Sequence, residues 1–407
     1  MVRKRSSVLL CLLAGLLLAP VNVAYAADSV AISSAFSQLT SIPALADPSV
    51  IVLDEVTGQV VYESNANSPR KPASVIKLVS AAAAYTYMSP SDSFTTSMWT
   101  GVDGKSVVVR GSLDPWMSYD HKVAMKMGRT SLERIEFNAL SAIKEMNSGS
   151  TKNTTIYYSD LYAQDVAHFS KFLKDHHVSI SLKRVTDGDA VAKSSTQLLA
   201  STSPTLQKIL DWTLTWSDNL LAERIARLAS VAAGNTLDDE GVALTFSQML
   251  GEMGIATTNL IVKDASGLSK ENRVTARQIS QLLMVIYHDP KFVPLIKGLP
   301  VGGVSGTLQH RFIETAPSAI GLVRAKTGTL NGTTNLAGFV ESGDHQYIFV
   351  IIADRHSKSY SVTKKVRATV DRILGKIATP LIPQHNNPLL PLLPLTAPSS
   401  DSITATN

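Results

Sequence analysis

The 407-residue sequence contains a single cysteine, Cys11, which lies in an apolar run near the N-terminus. We predict that this run is removed during export, which leaves the mature chain without cysteine. A disulfide, a thiol nucleophile and a cysteine-ligated metal site are therefore excluded. The mature chain of about 380 residues is long enough to be stabilised by an ordinary hydrophobic core.

The N-terminal segment has the pattern of a secretory signal peptide. Three basic residues at positions 3–5 precede an apolar run over residues 8–18, and small residues end at Ala26. We predict cleavage after Ala26 and a location in the periplasm or the extracellular cell-wall compartment. An uncut membrane anchor needs about 20 apolar residues, whereas this run is shorter and interrupted by Pro20 and Asn22. No stable membrane span is expected after cleavage.

The sequence also lacks a strong excess of charge. Lys and Arg number 38 and Asp and Glu number 33, which gives a net charge of +5. Residues 1–26 hold three positive charges and no negative ones, so the mature chain carries +2. Without a basic run, nucleic acid is not a predicted partner. The nine histidines include no H-E-x-x-H motif, and neither a metal nor a cofactor is predicted.

The C-terminal segment, residues 380–407, is rich in proline, serine and threonine. This composition predicts an extended or disordered tail. The leucines of the segment leave a second interpretation open, in which they form an apolar patch that contacts the cell wall or the membrane.

Between these ends, the residue pattern predicts an α+β fold with one antiparallel five-stranded sheet. An early hairpin turns at Thr57-Gly58, and three later strands are joined at Asn331-Gly332 and Gly343-Asp344. Short connections favour antiparallel pairing. Both ends of the chain are therefore expected to build the same sheet, with helices packed on it. A final helix is expected over residues 361–378.

The middle of the chain has a different residue pattern. Residues 96–193 combine short polar strands with a helix near residues 132–146, and helical periodicity returns after them. We interpret residues 96–193 as an inserted module outside the main core. The catalytic domain then consists of residues 27–95 and 194–379.

A serine three residues before a lysine occurs three times in the sequence. Residues i and i+3 share a helix face, so the Lys77 amine can reach the Ser74 hydroxyl. Residues 74–87 are apolar nearly all round, which predicts a buried helix with Ser74 at its N-terminal end, where backbone N–H groups favour an anion. The copy at Ser141 lies in a polar helix without a preceding hairpin or a buried run, and the copy at Ser361 lies in the final helix. We expect neither to be a nucleophile.

Two further motifs follow the first one. Ser217-Asp218-Asn219 and Lys326-Thr327-Gly328 complete the order S-x-x-K, S-D-N and K-T-G, which is typical of class A β-lactamases and penicillin-binding proteins. The sequence resembles the D-alanyl-D-alanine carboxypeptidases and endopeptidases of peptidase family S13, the class C low-molecular-mass penicillin-binding proteins. The resemblance runs from about Asp54 to Ile377 and includes the stretches "SDNLLAERIAR", "DASGLSKENRVTARQI", "LPVGGVSGTLQHRF" and "AKTGTLNGTTNLAGF".

This resemblance implies a serine β-lactamase/penicillin-binding transpeptidase-like fold, with helices flanking the five-stranded sheet. It also implies an activity on peptidoglycan stem peptides through an acyl-enzyme, with β-lactam antibiotics as covalent inhibitors. The stretch between the first two motifs is shorter here than in the larger members of family S13. That difference puts in doubt the full set of inserted domains.

The motif residues have roles that follow from their side chains. Ser74 is the predicted nucleophile, and Lys77 is its base, with a pKa lowered by burial and by the second cation, Lys326. Ser217 passes a proton to the departing amine, and Asn219 hydrogen-bonds the substrate's amide. Backbone N–H groups of Ser74 and Thr329 are the expected oxyanion hole. For the substrate, Lys326 offers a cation and Thr327 and Thr329 offer two hydroxyl groups to a terminal carboxylate, while Gly328 lets the edge strand lie close to an extended peptide.

Two other functions remain as alternatives, a serine β-lactamase and a non-catalytic wall-binding module. A class A β-lactamase uses a glutamate in an E-x-x-L-N-like loop to hydrolyse its acyl-enzyme, and no such pattern lies between Asn219 and Lys326. A binding module would have lost a catalytic residue, yet all of them are present. The sequence therefore favours a serine D-alanyl-D-alanine carboxypeptidase, an endopeptidase, or both.

Overall fold

The computed structural model describes residues 28–343 and 345–380. The predicted signal segment, almost all of the predicted tail, and Asp344 of the second predicted turn lie outside these ranges. Within them, no helix is both long and apolar enough to cross a membrane. The helices are α1 (Ser29–Thr40), α2 (Lys77–Tyr87), α3 (His121–Met127), α4 (Leu132–Met146), α5 (Ala163–Asp175), α6 (Asp187–Lys193), α7 (Leu206–Trp216), α8 (Asn219–Ala232), α9 (Asp239–Glu252), α10 (Ala276–His288), α11 (Val293–Lys297) and α12 (Tyr360–Ile377). The strands are β1 (Ser49–Asp54), β2 (Val60–Ser64), β3 (Thr95–Gly101), β4 (Val107–Arg110), β5 (Thr154–Ser159), β6 (Ile180–Arg184), β7 (Ser194–Thr202), β8 (Val323–Leu330), β9 (Thr333–Ser342) and β10 (His345–Ala353).

The main sheet has five antiparallel strands in the order β2, β1, β10, β9, β8. Strand β1 pairs with β10 from Ser49 opposite Ile352 to Asp54 opposite Tyr347. The first and last parts of the chain therefore meet in the middle of one sheet. This arrangement confirms the predicted α+β class and the predicted five-stranded sheet.

Helices cover both faces of the main sheet. In β1, Ile51 and Leu53 pack with α2, α8 and α10, whereas Val50 and Val52 pack on the opposite face with α1 and α12. This alternation follows from the two-residue period of a strand. All residues of β9 are buried, because that strand has helices over both of its faces.

A second sheet of five strands has the order β6, β5, β4, β3, β7. Strands β4, β5 and β6 are parallel, and the chain returns between them through helices that include α4 and α5. The sequence pattern predicts strands in this region but not their parallel pairing. The sheet also continues past the predicted end of the module at residue 193, since β7 pairs with β3.

The second sheet is not wholly separate from the main core. The side chains of Trp116 and Tyr162 are buried in the cluster that α2, α7 and α8 form. Trp116 makes an edge contact with Trp212 of α7, and the Tyr162 hydroxyl donates to the carbonyl oxygen of Arg224 at 3.1 Å. Residues 96–193, which the sequence suggests lie outside the main core, therefore contribute buried side chains to that core at this contact.

The segment that carries Ser74 also differs from the prediction. Residues Ala73–Ile76 form a 3₁₀ turn, and α2 begins only at Lys77. Ala73 has a φ of 46°, a left-handed conformation that interrupts a regular helix just before Ser74. From Lys77 to Tyr85 every side chain of α2 is buried. The alanines in this run let α8 approach closely.

Candidate active site

Ser74 and Lys77 form a hydrogen-bonded pair. The Lys77 amine donates to Ser74 Oγ at 2.8 Å, to Asn219 Oδ1 at 2.7 Å, and to the carbonyl oxygen of Ser266. Only 1% of Lys77 is exposed. The three-residue spacing in the sequence thus corresponds to direct contact between a hydroxyl group and a buried amine.

The charge state of Lys77 is set by burial and by nearby carboxylates. Burial lowers the pKa of Lys77 to about 8, while Asp264, Glu223 and Asp218 act in the opposite direction. Burial, followed by repulsion from the Lys77 ammonium, lowers the pKa of Lys326 well below its usual range. From the sequence, Lys326 is an expected cause of the low Lys77 pKa. In the structure, burial causes that shift, and the repulsion between the two amines lowers the pKa of Lys326 instead.

The S-D-N motif forms the junction between α7 and α8. Ser217 follows α7 with φ 60° and ψ 39°, a left-handed conformation that costs a serine on the order of 1 kcal/mol. The Asp218 carboxylate caps α8 by accepting from Leu221 N at 3.1 Å. This sharp turn places Ser217 Oγ 2.8 Å from Lys326 Nζ, while Asn219 faces α2.

The K-T-G motif lies on β8, the edge strand of the main sheet. Lys326 is fully buried, and its amine donates to Ser217 Oγ and to the carbonyl oxygen of Thr327 at 3.2 Å. Thr327 and Thr329 share one face of the strand, because side chains alternate along it. The Thr327 hydroxyl is 2.8 Å from the hydroxyl of Thr307.

Gly328 is required by a contact that the sequence argument does not predict. A Cβ atom at this position would lie 2.7 Å from the carbonyl oxygen of Pro72 and 3.2 Å from Val75 Cγ2. Close-packed interiors leave no room for such an approach. The missing side chain therefore lets β8 pack against the 3₁₀ turn that carries Ser74. From the sequence, Gly328 is expected to allow the approach of a substrate peptide instead.

The loop over residues 264–269 is a part of the site that sequence reasoning missed. Its Ser266 carbonyl oxygen accepts from both Ser74 Oγ, at 3.4 Å, and Lys77 Nζ. Gly267 has a φ of 89°, and a Cβ atom there would lie 2.0 Å from the carbonyl oxygen of Ala73. The loop therefore lies directly against the backbone that precedes the serine.

Glu223 holds this loop in place and was also missed. Its Oε1 atom accepts from the backbone N–H groups of Ala265 and Ser266 at 3.0 and 2.8 Å. Burial raises the pKa of Glu223, and its hydrogen bonds with Ser266 oppose that shift. The signal in the sequence is its spacing, since Glu223 follows Asn219 by four residues and lies on the same face of α8.

The predicted residues surround a cavity of about 340 Å³. Lys77 and Lys326 are buried beneath its surface, while five predicted residues line it, namely Ser74, Ser217, Asn219, Thr327 and Thr329. Arg311 and Arg367 also line the cavity, and sequence reasoning missed both. In the described part of the chain, no acidic residue lines it.

The two other serine and lysine pairs lie elsewhere. Ser141 and Lys144 are exposed on α4, and Ser361 and Lys364 are exposed on α12. None of them lines the cavity. Neither lysine has the burial that distinguishes the Lys77 amine.

Comparisons with known sequences match most of the chain. A profile of the D-Ala-D-Ala carboxypeptidase 3 (S13) family matches residues 33–135 and 143–377, which confirms the resemblance stated from the motifs. Carboxypeptidase DacB of Mycolicibacterium smegmatis is 27% identical over 331 residues, or 71% of this chain and 72% of that protein. The D-alanyl-D-alanine carboxypeptidase of Actinomadura sp. strain R39 is 35% identical over 162 residues, or 38% of this chain and 30% of that protein.

The fold is similar to that of penicillin binding protein 4 from Haemophilus influenzae. The two structures have a TM-score of 0.63 and 16% sequence identity, over 86% of this chain and 98% of that chain. The Haemophilus protein has also been solved in complex with a β-lactam. At this identity the similarity establishes the fold, and it confirms the penicillin-binding type of α+β architecture.

Proposed function

Because the chain belongs to the D-Ala-D-Ala carboxypeptidase 3 (S13) family, and is thereby a penicillin-binding serine peptidase of the D-alanyl-D-alanine carboxypeptidase class, we propose that Ser74 is its nucleophile. The proposed substrates are peptidoglycan stem peptides. The observation that carries the proposal is the 2.8 Å contact between the buried Lys77 amine and Ser74 Oγ. Since burial lowers the pKa of Lys77 to about 8, a neutral amine is accessible near neutral pH to accept the serine proton.

In the acylation step, neutral Lys77 accepts the hydroxyl proton of Ser74 as Oγ attacks the carbonyl carbon of the penultimate D-alanine. Backbone N–H groups of Ser74 and Thr329 stabilise the oxyanion, an interaction worth about 3 to 4 kcal/mol per donor. Ser217, which is hydrogen-bonded to Lys326, gives its hydroxyl proton to the departing nitrogen and is reprotonated by the proton that Lys77 took from Ser74, so that Lys77 is neutral again. The products are free D-alanine and an ester at Ser74.

In the second step, water attacks the ester carbonyl and gives a proton to Lys77, which passes it to Ser74 Oγ as the ester bond breaks and the peptide is released with a new carboxyl group. A cross-linked substrate carries an amine of a neighbouring stem peptide in place of the terminal D-alanine. Endopeptidase cleavage therefore needs the same two steps with a different leaving group. Product analysis on monomeric and cross-linked muropeptides measures the two activities separately, and an enzyme inactive on both contradicts the proposed substrate class.

We propose that β-lactams are covalent inhibitors of this protein. Their strained amide and carboxylate resemble a D-alanyl-D-alanine terminus. In the described part of the chain, the cavity has no acidic side chain that could activate water against the penicilloyl ester. This observation favours a long-lived adduct over the β-lactamase alternative. The presence of the serine and both buried amines argues against a non-catalytic binding module.

The predicted signal segment and the membership in a family of wall peptidases support export to the periplasm or the cell-wall compartment. The mature protein is then expected to begin at Ala27, because small residues precede that bond. Intact mass measurement of the protein from the exported fraction checks this prediction. A mass that includes Met1 would contradict it.

Labelling with a fluorescent penicillin tests the nucleophile. The label should be recovered by peptide mapping in the segment that contains Ser74, and Ser74→Ala should abolish it. Lys77→Ala should reduce labelling about as much, because removal of one member of a cooperating pair disables the pair. Ser141→Ala is the matched control, since it removes an exposed serine of the same spacing and should leave labelling unchanged. A label at Ser141 would overturn the assignment.

A further inference from the structure

Two arginines line the catalytic cavity, and they differ in their partners. The Arg311 guanidinium is bound to Asp371, with Nε 3.0 Å from both carboxylate oxygens. Arg367 lies one turn earlier on α12 than Asp371, and its Nη2 atom donates to Thr329 Oγ1 at 3.2 Å. In the part of the chain that the structure describes, Arg367 forms no ion pair with a carboxylate, whereas the charge of Arg311 is matched by Asp371.

Of the two lysines beneath the cavity, Lys77 is the proposed base, and Lys326 is fully buried and already hydrogen-bonded. Its amine is hydrogen-bonded to Ser217 Oγ and to the carbonyl oxygen of Thr327. Burial and the Lys77 ammonium lower its pKa well below the usual range. The Lys326 amine is therefore already hydrogen-bonded and lies beneath the cavity rather than among the residues that line it.

We propose that Arg367 binds the carboxylate of the substrate's leaving group, together with the hydroxyl groups of Thr327 and Thr329. This inference rests on the proposed function and extends it, since it names the group that recognises the anionic end of the substrate. The cation for the carboxylate is then Arg367 of the last helix and not Lys326, the cation expected from the sequence.

The chemistry of the guanidinium suits this role. Arginine stays protonated even when it is partly buried, and its planar fork can donate two parallel hydrogen bonds to one carboxylate. Because Thr329 Oγ1 accepts from Arg367, its own hydrogen is free to be donated to an anion. Thr327 lies two residues earlier on the same face of β8. A carboxylate beside both hydroxyls is therefore within the reach of Arg367.

A matched pair of ester substrates tests the proposal. Both carry the same acyl-D-alanyl group; one has D-lactate as its leaving group and the other has uncharged D-lactamide. Esters react more readily than amides, so both can be followed in the wild-type protein. If the wild type cleaves neither, the proposed function fails; the inference about Arg367 is judged on the variants of an active enzyme.

Arg367→Ala should lower kcat/KM for the D-lactate ester by about 10- to 100-fold, the range expected for loss of a charge-assisted hydrogen bond. The D-lactamide ester should lose less than about twofold, because it offers no charge to the guanidinium. Arg367→Lys should give an intermediate loss on the D-lactate ester, since it keeps the charge but not the fork. Arg372→Ala, at an exposed position of the same helix, should behave as the wild type on both esters.

An equal loss on both esters would show that Arg367 only supports the structure of the cavity, and it would overturn the proposal. An unchanged kcat/KM for the D-lactate ester in Arg367→Ala would overturn it as well. Retained turnover of the D-lactamide ester by the same variant demonstrates that it is folded. The kcat/KM values for the two esters are therefore compared on one preparation of the variant.

Discussion

At the scale of a single residue, two opposing effects set the pKa of Lys77. Burial disfavours its charge, whereas the carboxylates of Asp264, Glu223 and Asp218 favour it. The result is a pKa of about 8, close to the pH at which a general base is most effective. Without the carboxylates the pKa would fall further, and the amine would bind the serine proton more weakly.

Glu223→Gln should move the pH dependence of acylation to lower pH. The amide oxygen of glutamine can still accept from Ala265 N and Ser266 N, so the loop keeps its position, but the negative charge that raises the pKa of Lys77 is lost. Acylation requires the neutral amine, and its rate therefore rises as the pH rises through the pKa of Lys77. The second-order rate constant for a penicillin, measured from about pH 6 to 10, gives the midpoint.

The control for this experiment is Glu145→Gln, which removes an exposed carboxylate from α4 and should leave the midpoint unchanged. A Glu223→Gln midpoint that stays at the wild-type pH, or moves to higher pH, would contradict the electrostatic role. A fall in the plateau rate without a shift would show that Glu223 acts through loop geometry alone.

At the scale of secondary-structure elements, the site depends on how closely β8 approaches the 3₁₀ turn before α2. Gly328→Ala should separate the two, because its Cβ atom would lie 2.7 Å from the Pro72 carbonyl oxygen. Overpacking of this kind costs about 1 to 3 kcal/mol of unfolding free energy. Acylation should slow at least about tenfold, since a displacement of about 1 Å in a reacting geometry has a large effect on rate. Urea unfolding and penicillin labelling measure the two effects.

Gly251→Ala is the control. It makes the same substitution, but it should raise the free energy of unfolding rather than lower it. Gly251 lies within α9, and a Cβ atom there meets nothing within 4 Å. Alanine in a helix should stabilise the protein by up to about 1 kcal/mol relative to glycine, with no change in labelling. A Gly328→Ala variant as stable and as reactive as the wild type would show that β8 does not need this contact.

The elements of the main sheet can be predicted from sequence because their signals are local. Thr57-Gly58 and Asn331-Gly332 mark turns between strands, and those strands are found where the turns place them. The contact of Gly328 with Pro72 joins opposite ends of the chain, so no local pattern reports it. The contact of Arg367 with Thr329 is equally hidden, because a helix pattern does not show which strand a side chain will meet.

At the scale of the whole molecule, the second sheet is attached to the catalytic helix α8. The Arg224 guanidinium donates to Tyr119 Oη at 3.1 Å and pairs with Asp165 of α5. Arg129 is 3.6 Å from the Asp218 carboxylate of the S-D-N motif. The composition of residues 96–193 shows their polarity but not these contacts, which explains why the sequence suggests a detached module.

The structure defines the ends of a deletion of the second sheet better than the sequence does. Ser203 N donates to the carbonyl oxygen of Phe94 at 2.8 Å, and Phe94 N donates to Ser203 Oγ at 3.0 Å. These two residues flank β3 and β7, so a turn of about two residues can join them after residues 95–202 are removed. A deletion of residues 96–193 would instead leave β7 as an unpaired strand, which favours aggregation.

The protein without residues 95–202 should still be labelled at Ser74, because every predicted catalytic residue lies outside the deletion. Labelling should be slower than in the full chain, since Asp218 loses Arg129, and Arg129→Ala in the full chain should reproduce that part of the loss.

The melting temperature should also fall, because two buried aromatics, Trp116 and Tyr162, no longer cover the catalytic domain. Burial of each side chain contributes roughly 2 to 3 kcal/mol. Circular dichroism and a cooperative thermal transition establish that the shortened protein is folded. A folded deletion that takes up no penicillin would show that the second sheet is required for the chemical step itself.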